Sequence, residues 1–67
     1  MIKVSSSNLD EVDYNEADSS LLVKFKNGGT YRYAGVPKTA YEELIKAKSV
    51  GSYFMSNIRN AYEATKE

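Results

Sequence analysis

The chain has 67 residues, nine basic and nine acidic side chains, and neither cysteine nor histidine. This length predicts one domain, residues 1–67, with its core between about residues 8 and 62. The composition excludes a disulfide framework, a thiol nucleophile and an imidazole base. No apolar run approaches about 18 residues, and no signal-peptide pattern opens the chain, so we predict a cytoplasmic protein without membrane contact.

Charge is distributed unevenly along the chain. Residues 1–18 hold one lysine against five carboxylates, residues 19–41 hold four basic residues and no acid, and residues 42–67 balance. A neutral total argues against a strong, purely electrostatic nucleic-acid binder. The basic middle of the chain leaves room for a weak local one.

The N-terminal part predicts one strand preceded by a polar segment. Residues 1–7 fit either an edge strand or a loosely held arm. Residues 8–14 predict the first strand of a sheet. Within it Val12 and Tyr14 share a parity that Leu9 does not, so we expect a bulge or the start of the strand near Asp10.

A β-hairpin follows the first strand. Alternating side chains predict strands at residues 20–26 and 30–34, and Asn-Gly-Gly at residues 27–29 is a strong turn signal between them. With the first strand they form a three-stranded antiparallel sheet in which residues 20–26 lie in the middle.

The length of the hairpin loop sets the predicted register. A three-residue loop places Tyr31 opposite Phe25 and Tyr33 opposite Val23, whereas a two-residue loop mixes apolar and charged side chains on both faces. One face of the favoured register is apolar and holds Leu21, Val23, Phe25, Tyr31 and Tyr33. The other face holds Leu22, Lys24, Lys26, Thr30 and Arg32.

Two helices are predicted after the sheet. The first begins at Pro37, and Ser49 is the expected N-cap of the second. The apolar stripe of the second helix consists of Val50, Phe54, Ile58, Ala61 and Tyr62. Gly51 lies in its first turn, where close packing against the first helix would explain it, and residues 64–67 are expected to fray. The prediction is an α+β fold, β-β-β-α-α, with both helices on the apolar face of the sheet.

Several segments, in order, resemble the KTSC domain family. They are FKNG at 25–28, the central YRY at 31–33, VP at 36–37, SVGSYF at 49–54, IR at 58–59 and Tyr62. The resemblance covers roughly residues 4–62. The family is named for its place at the C-terminus of some lysyl-tRNA synthetases and also occurs as stand-alone small bacterial proteins. It implies no established activity, although RNA binding has been suggested from the synthetase context. The family tends to carry a polar residue where this chain has Met55, so a contact made there is not carried over.

The acidic N-terminal residues do not predict catalysis. Asp10, Glu11, Asp13, Glu16 and Asp18 lie in a polar strand and turn without the apolar cover that tunes carboxyl groups for acid–base chemistry. Their spacing lacks the glycine and the terminal glutamate of an EF-hand loop. We interpret them as a solvated acidic face and predict a protein that is not an enzyme, with no metal and no cofactor.

A basic sheet face is the leading candidate site. Lys24, Lys26 and Arg32 project together in the predicted register, with Lys38 near the strand end and Arg59 on the second helix. Such a face could make weak, salt-sensitive contacts to RNA phosphates, including those of tRNA. The structural alternative is an ordinary solvated face whose lysines lie beside the acidic first strand.

Tyr31 and Tyr33 also admit two interpretations. Exposed aromatic side chains flanked by basic residues stack on RNA bases. The predicted register instead directs both rings into the core. Tyr31 lies nearer the hairpin tip and is the better stacking candidate of the two.

A protein–protein adaptor is the alternative function. Tyr53 and Met55 lie off the apolar stripe of the second helix and could form an exposed apolar spot for a partner or a second copy. The edges of the sheet could also accept a partner strand. We therefore expect a non-enzymatic accessory domain, monomeric or weakly dimeric, that binds RNA or another protein.

Overall fold

The computed structural model describes residues 2–67, which form five strands and two helices. The strands are β1 (Ile2–Lys3), β2 (Leu9–Asn15), β3 (Ser20–Phe25), β4 (Thr30–Tyr33) and β5 (Ala64–Lys66). The helices, α1 (Lys38–Lys46) and α2 (Val50–Asn57), lie between β4 and β5 in sequence. No helix in this range is long and apolar enough to span a membrane.

The α+β prediction is confirmed, but the sheet has five strands and not three. All neighbours are antiparallel, and their spatial order follows the sequence. One added strand is β1, in which Ile2 pairs with Val12 of β2. Residues 1–7 were predicted to form an edge strand or a loosely held arm, and residues 2–3 of this segment form an edge strand. Met1 lies outside the described residues.

The second added strand is β5, which forms from the tail that we expected to fray. It covers the edge of β4: Glu67 donates its N–H to the Thr30 carbonyl oxygen at 2.8 Å, and Ala34 donates to Glu63 at 3.0 Å. All three residues of the strand are exposed. A polar strand of this length has no hydrophobic period, so only the unpaired backbone groups of β4 indicate it.

The apolar face of the sheet and both helices meet in one core. Its buried members are Leu9, Val12, Leu21, Val23, Tyr33, Val36, Leu44, Val50, Phe54 and Ile58. The Phe54 ring of α2 packs edge to face on Phe25 and Tyr33, with ring centroids 5.6 and 5.4 Å away. The predicted assignment of side chains to a core face and an outer face is therefore confirmed for the paired residues of the hairpin. It is not confirmed for Lys26, which lies past the end of β3 and lines a groove on the helix side of the sheet.

The hairpin register differs from the prediction by two residues. The observed pairs are Val23 with Tyr31 and Leu21 with Tyr33, in place of Phe25 with Tyr31 and Val23 with Tyr33. The Phe25 N–H donates to Gly29 at 3.1 Å, so the three-residue loop is 26–28 and begins one residue earlier than predicted. Because both ends of the loop move by one residue, each side chain keeps its face.

The bulge expected near Asp10 is present. Leu9 pairs with Phe25 while Glu11 pairs with Lys24, so β2 has one residue more than β3 across this step. Without that extra residue Leu9 would point to the outer face. With it, the Leu9 side chain is fully buried.

Tyr14 of β2 ties the sheet to the segment that leads into α1. Its hydroxyl donates to the carbonyl oxygen of Val36 at 2.6 Å. Its ring stacks on Tyr41 of α1 with centroids 5.2 Å apart and an interplanar angle of 15°. This pair fixes where α1 begins relative to the sheet.

Ser49 caps α2 as predicted, because its hydroxyl oxygen accepts from the N–H of Ser52 at 3.3 Å. The helix is shorter than the apolar stripe suggested and ends at Asn57. The N–H groups of Ile58 and Arg59 both donate to the Phe54 carbonyl oxygen at 2.9 Å, which closes the last turn. Beyond it, the chain turns back toward the edge of β4 instead of continuing the helix.

Gly51 is required by a neighbour other than the predicted one. A Cβ atom there would lie 2.9 Å from the Oγ of Ser6, in the connection between β1 and β2, and not against α1. That oxygen accepts from the N–H groups of Asn8 and Leu9, both at 3.2 Å. Ser6 cannot turn away from a new methyl group without losing these hydrogen bonds.

We expect Gly51→Ala to lower the free energy of unfolding, although alanine is the better helix former, because its methyl group would meet Ser6. In a Ser6→Ala background the same substitution should be neutral or stabilising. A double-mutant cycle by urea unfolding should give a coupling of about 1 kcal/mol. Equal effects of Gly51→Ala in both backgrounds would contradict the contact.

The Ala34 amide should exchange slowly with deuterium in NMR experiments, because its hydrogen bond to Glu63 belongs to the β4–β5 pairing. A chain truncated after Tyr62 lacks this acceptor and serves as the control. There the Ala34 amide should exchange much faster, while the Ile58 amide should change less. Fast Ala34 exchange in the full chain would show that the tail frays.

Candidate functional site

The outer face of the sheet arranges its charged side chains in rows across the strands. One row consists of Lys3, Glu11, Lys24 and Thr30, and the next of Asp13, Leu22, Arg32 and Thr65. Lys24 therefore stands directly across from Glu11 in the sheet. This is the arrangement of the structural alternative, in which the acidic first strand compensates the basic hairpin.

Two further predicted phosphate contacts near this face, Arg32 and Lys38, lie beside carboxylates. The Arg32 guanidinium lies 3.0 Å from Glu67 and 3.4 Å from Asp18, and Lys38 forms an ion pair with Glu16. The hydrogen bond and charge of Glu67 raise the pKa of Arg32, and those of Glu16 raise the pKa of Lys38. Both side chains stay charged, but the face has little net positive charge to offer a phosphate.

A groove opens on the helix side of the sheet, between the end of the hairpin, the start of β2 and α2. It has two halves, which share Asn8, Gly51 and Met55 in their walls. We call them the aromatic half and the serine half, after the side chains that line them.

The aromatic half encloses about 490 Å³. Its aromatic lining consists of Phe25, Tyr31, Tyr33 and Phe54. Its polar lining includes Asn8, Asn27, Arg59 and Asn60. The half-buried Tyr31 ring packs edge to face with Phe25, with centroids 5.6 Å apart. Burial raises the pKa of Tyr33, and the charge of Arg59 opposes that shift.

The serine half encloses about 560 Å³. Its cationic lining consists of Lys26 and Lys48, and its hydroxyl lining of Ser5, Ser6, Ser7, Ser49, Ser52 and Ser56. Lys26 reaches this half because it follows the last residue of β3, where the alternation of faces ends. Hydroxyl and ammonium groups together are suited to an anion.

The groove has no acidic lining. No carboxylate lies in the wall of either half within residues 2–67, and the ion pairs of that range include none of Lys26, Lys48 and Arg59. The Arg59 guanidinium contacts the Sδ of Met55 at 3.5 Å. The described residues also contain no group of three acidic side chains that could hold a metal ion.

The structure divides the six predicted nucleic-acid contacts between two sides of the sheet. Lys24 and Arg32 project from the outer face, and Lys38 pairs with Glu16 at the start of α1. Tyr31 and Arg59 line the aromatic half of the groove, and Lys26 lines the serine half. The two sets cannot form a single surface, because the sheet lies between them.

Sequence analysis missed Lys48 and the asparagines of the groove. Asn8, Asn27 and Asn60 come from three separate connections, so only the folded chain brings them together. The one local signal was serine content, since residues 5–7 and 49–56 hold the six serines that face each other across the serine half.

Tyr53 and Met55 do not form one apolar spot. The Tyr53 hydroxyl donates to Glu43 of α1 at 3.0 Å, and its ring is partly buried against the core. Met55 is 43% exposed and faces the groove. Residues two positions apart in a helix are rotated by about 200° around its axis, so these two side chains point to different sides of α2.

Comparison with known proteins gives relatives over nearly the whole chain. The KTSC domain family matches residues 5–62. A lysine–tRNA ligase of Trichormus variabilis is 33% identical over 63 residues, which are 94% of this chain but 11% of the ligase. A protein of Tsukamurella paurometabola is 30% identical over 64 residues, 96% of each chain. The crystal structure of a KTSC domain protein from Yersinia pestis superimposes with a TM-score of 0.94 at 32% identity, covering 97% of this chain and 92% of that one.

The outer face predicts a measurable pH dependence at Asp18. Hydrogen bonds from Ser20, chiefly from its hydroxyl at 2.6 Å, lower the pKa of Asp18 below its ordinary 3.8, and Arg32 adds to the shift. A lowered pKa in the folded state stabilises the fold above pH 3.8, and this stabilisation is lost as the pH falls through the folded pKa.

Asp18→Asn should therefore unfold at lower urea concentration than the parent protein near pH 7, with the difference shrinking as the pH falls below 3.8. The substitution keeps an acceptor for Ser20 and removes only the charge. Urea titrations of both proteins at matched pH values test this. A difference that stays constant across the series would contradict the assigned role of the charge.

Proposed function

Because this chain belongs to the KTSC domain family, which also forms part of lysine–tRNA ligases, we propose that it is a non-catalytic accessory domain that binds RNA weakly through the groove. The ligase relative supports RNA as the partner class, because a lysine–tRNA ligase acts on a tRNA. The chain spans only 11% of that ligase, so the proposal concerns this domain alone.

One observation carries the proposal: three cationic side chains line a groove without carboxylates, next to a half-buried tyrosine ring. The cations are Lys26, Lys48 and Arg59. Phosphate contacts supply most of the affinity of weak nucleic-acid binding, and exposed aromatic rings add base stacking. The groove offers both on one surface, whereas the rows of the outer face place carboxylates among the cations and hold no aromatic side chain.

The charge distribution also explains why the groove and not the basic sheet face is the better candidate. A phosphate at Arg32 would also approach Glu67 and Asp18, which lie 3.0 and 3.4 Å from the guanidinium, and Lys24 stands across from Glu11 in the sheet. At the groove the nearest cations have no acidic neighbour in the wall. The neutral total charge of the chain is then compatible with a local anion site.

Three phosphate contacts imply modest, salt-dependent affinity. For single-stranded nucleic acid each neutralised phosphate contributes about 0.7 to the slope of log affinity against log salt, so we expect a slope of about −2. Such a domain would add to the tRNA affinity of a larger assembly instead of binding tightly by itself.

We expect Lys26→Gln to weaken binding of a tRNA pool several-fold at low salt and to reduce the salt slope by about 0.7. Lys24→Gln is the matched control, since it removes one exposed lysine two residues away on the outer face. It should leave the affinity nearly unchanged. Fluorescence anisotropy with labelled tRNA at a series of salt concentrations measures both quantities.

The reverse result, in which Lys24→Gln weakens binding and Lys26→Gln has no effect, would show that RNA binds the outer face of the sheet and not the groove. No binding of the parent protein at low salt would reject RNA as the partner. A salt-insensitive protein partner lost on Tyr53→Ala would favour the adaptor alternative.

A further inference from the structure

The two halves of the groove differ in chemistry in a way that matches the two parts of a nucleotide. One wall carries aromatic rings and asparagine amides, and the other carries two lysines and a set of hydroxyls. Both halves are bordered by Asn8, Gly51 and Met55 and are therefore adjacent. We infer that the groove holds a single unpaired RNA nucleotide, with the base in the aromatic half and a phosphate in the serine half; this inference rests on the proposed function.

The aromatic half is suited to a base because its ring is both accessible and fixed. Tyr31 is half-buried and lines the groove, and Phe25 holds its ring edge to face at 5.6 Å. Phe25 in turn packs on the buried Phe54, also at 5.6 Å. A ring held in this way loses little conformational freedom when a base stacks on it.

The asparagines supply groups that can pair with the edge of a base. The side-chain amides of Asn8, Asn27 and Asn60 have no hydrogen-bond partner anywhere in residues 2–67. Each offers two donors and an acceptor, which any base edge can use. Arg59 lines the same half. It can contact the second backbone phosphate, which lies on the other side of the base from the phosphate in the serine half.

The serine half is suited to a phosphate because it combines cations and hydroxyls without a carboxylate. Lys26 and Lys48 line it from the hairpin and from the connection between the helices. Ser52 and Ser56 are one turn apart on α2, so their hydroxyls share a face of the helix. Ser6 and Ser49 already accept backbone hydrogen bonds and position the wall.

Only an unpaired nucleotide fits this arrangement. In a duplex the bases are stacked on one another, and their faces are not available to a tyrosine ring. A single strand, a loop or an RNA end can turn one base out and present its face, its edge and its phosphate together. Each half also has the volume typical of a small-molecule pocket, about 300 to 1,000 Å³.

The test compares a labelled single-stranded RNA octamer with the same octamer annealed to its complement, at low salt. We expect the single strand to bind at least about five-fold more tightly, which is the lower range for one stacked base. Tyr31→Leu should remove that preference, and Tyr31→Phe should retain it. If Tyr31→Leu does not fold, Asn60→Ala with Asn27→Ala should weaken single-strand binding while leaving duplex binding unchanged.

Fragments of the nucleotide locate the two halves separately. In NMR titrations of the parent protein, adenosine should shift amides around Tyr31 and Asn60, and inorganic phosphate should shift those around Lys26 and Ser52. Adenosine monophosphate should shift both sets. Phosphate shifts alone, with no response to adenosine, would overturn the placement of the base.

The outcomes separate this inference from the proposed function. Equal binding of single strand and duplex, still weakened by Lys26→Gln, would reject the unpaired nucleotide and keep the RNA-binding groove. Unchanged single-strand binding by Tyr31→Leu would also reject it. Absence of RNA binding in every form would reject both proposals.

Discussion

The contact of the Phe54 ring with Phe25 and Tyr33 is the interaction on which the rest of the structure depends. It fixes α2 across the end of the hairpin, and the groove is the space left between them. The same contact brings Gly51 against the β1–β2 connection, where the lack of a side chain lets the helix approach. This aromatic cluster therefore determines how α2 lies on the sheet, and with it the position of both halves of the groove.

The hairpin sequence was sufficient to assign the faces of the paired strand residues, but not their register. Alternation with period 2 determines which side chains are buried, and a shift of the loop by one residue at each end preserves that alternation. The bulge at Asp10 and the Ser49 cap were predictable for the same reason, since each is a local rule applied to adjacent residues. β1 and β5 were not fully predictable, because strands of two or three residues are too short to carry a periodic signal and form only where a neighbouring edge needs partners.

The candidate site shows where reasoning from the sequence ends. The basic middle segment was evident, but the sheet divides it: Lys24 remains in a row beside Glu11, and Lys26, just past the strand, joins the groove. The alternation of faces does not extend into a loop, so the sequence alone could not show that Lys24 and Lys26 lie on different sides of the sheet. The asparagines and Lys48 come from distant connections whose meeting depends on how the helices pack.

Both edges of the sheet are very short strands. β1 has two residues and β5 has three, and a sheet edge exposes unpaired backbone groups in proportion to its length. Long, flat edges are templates for pairing between molecules and hence for aggregation. Short edges of this kind leave few backbone groups for a second molecule to pair with, while the groove stays open to solvent on the other side of the fold.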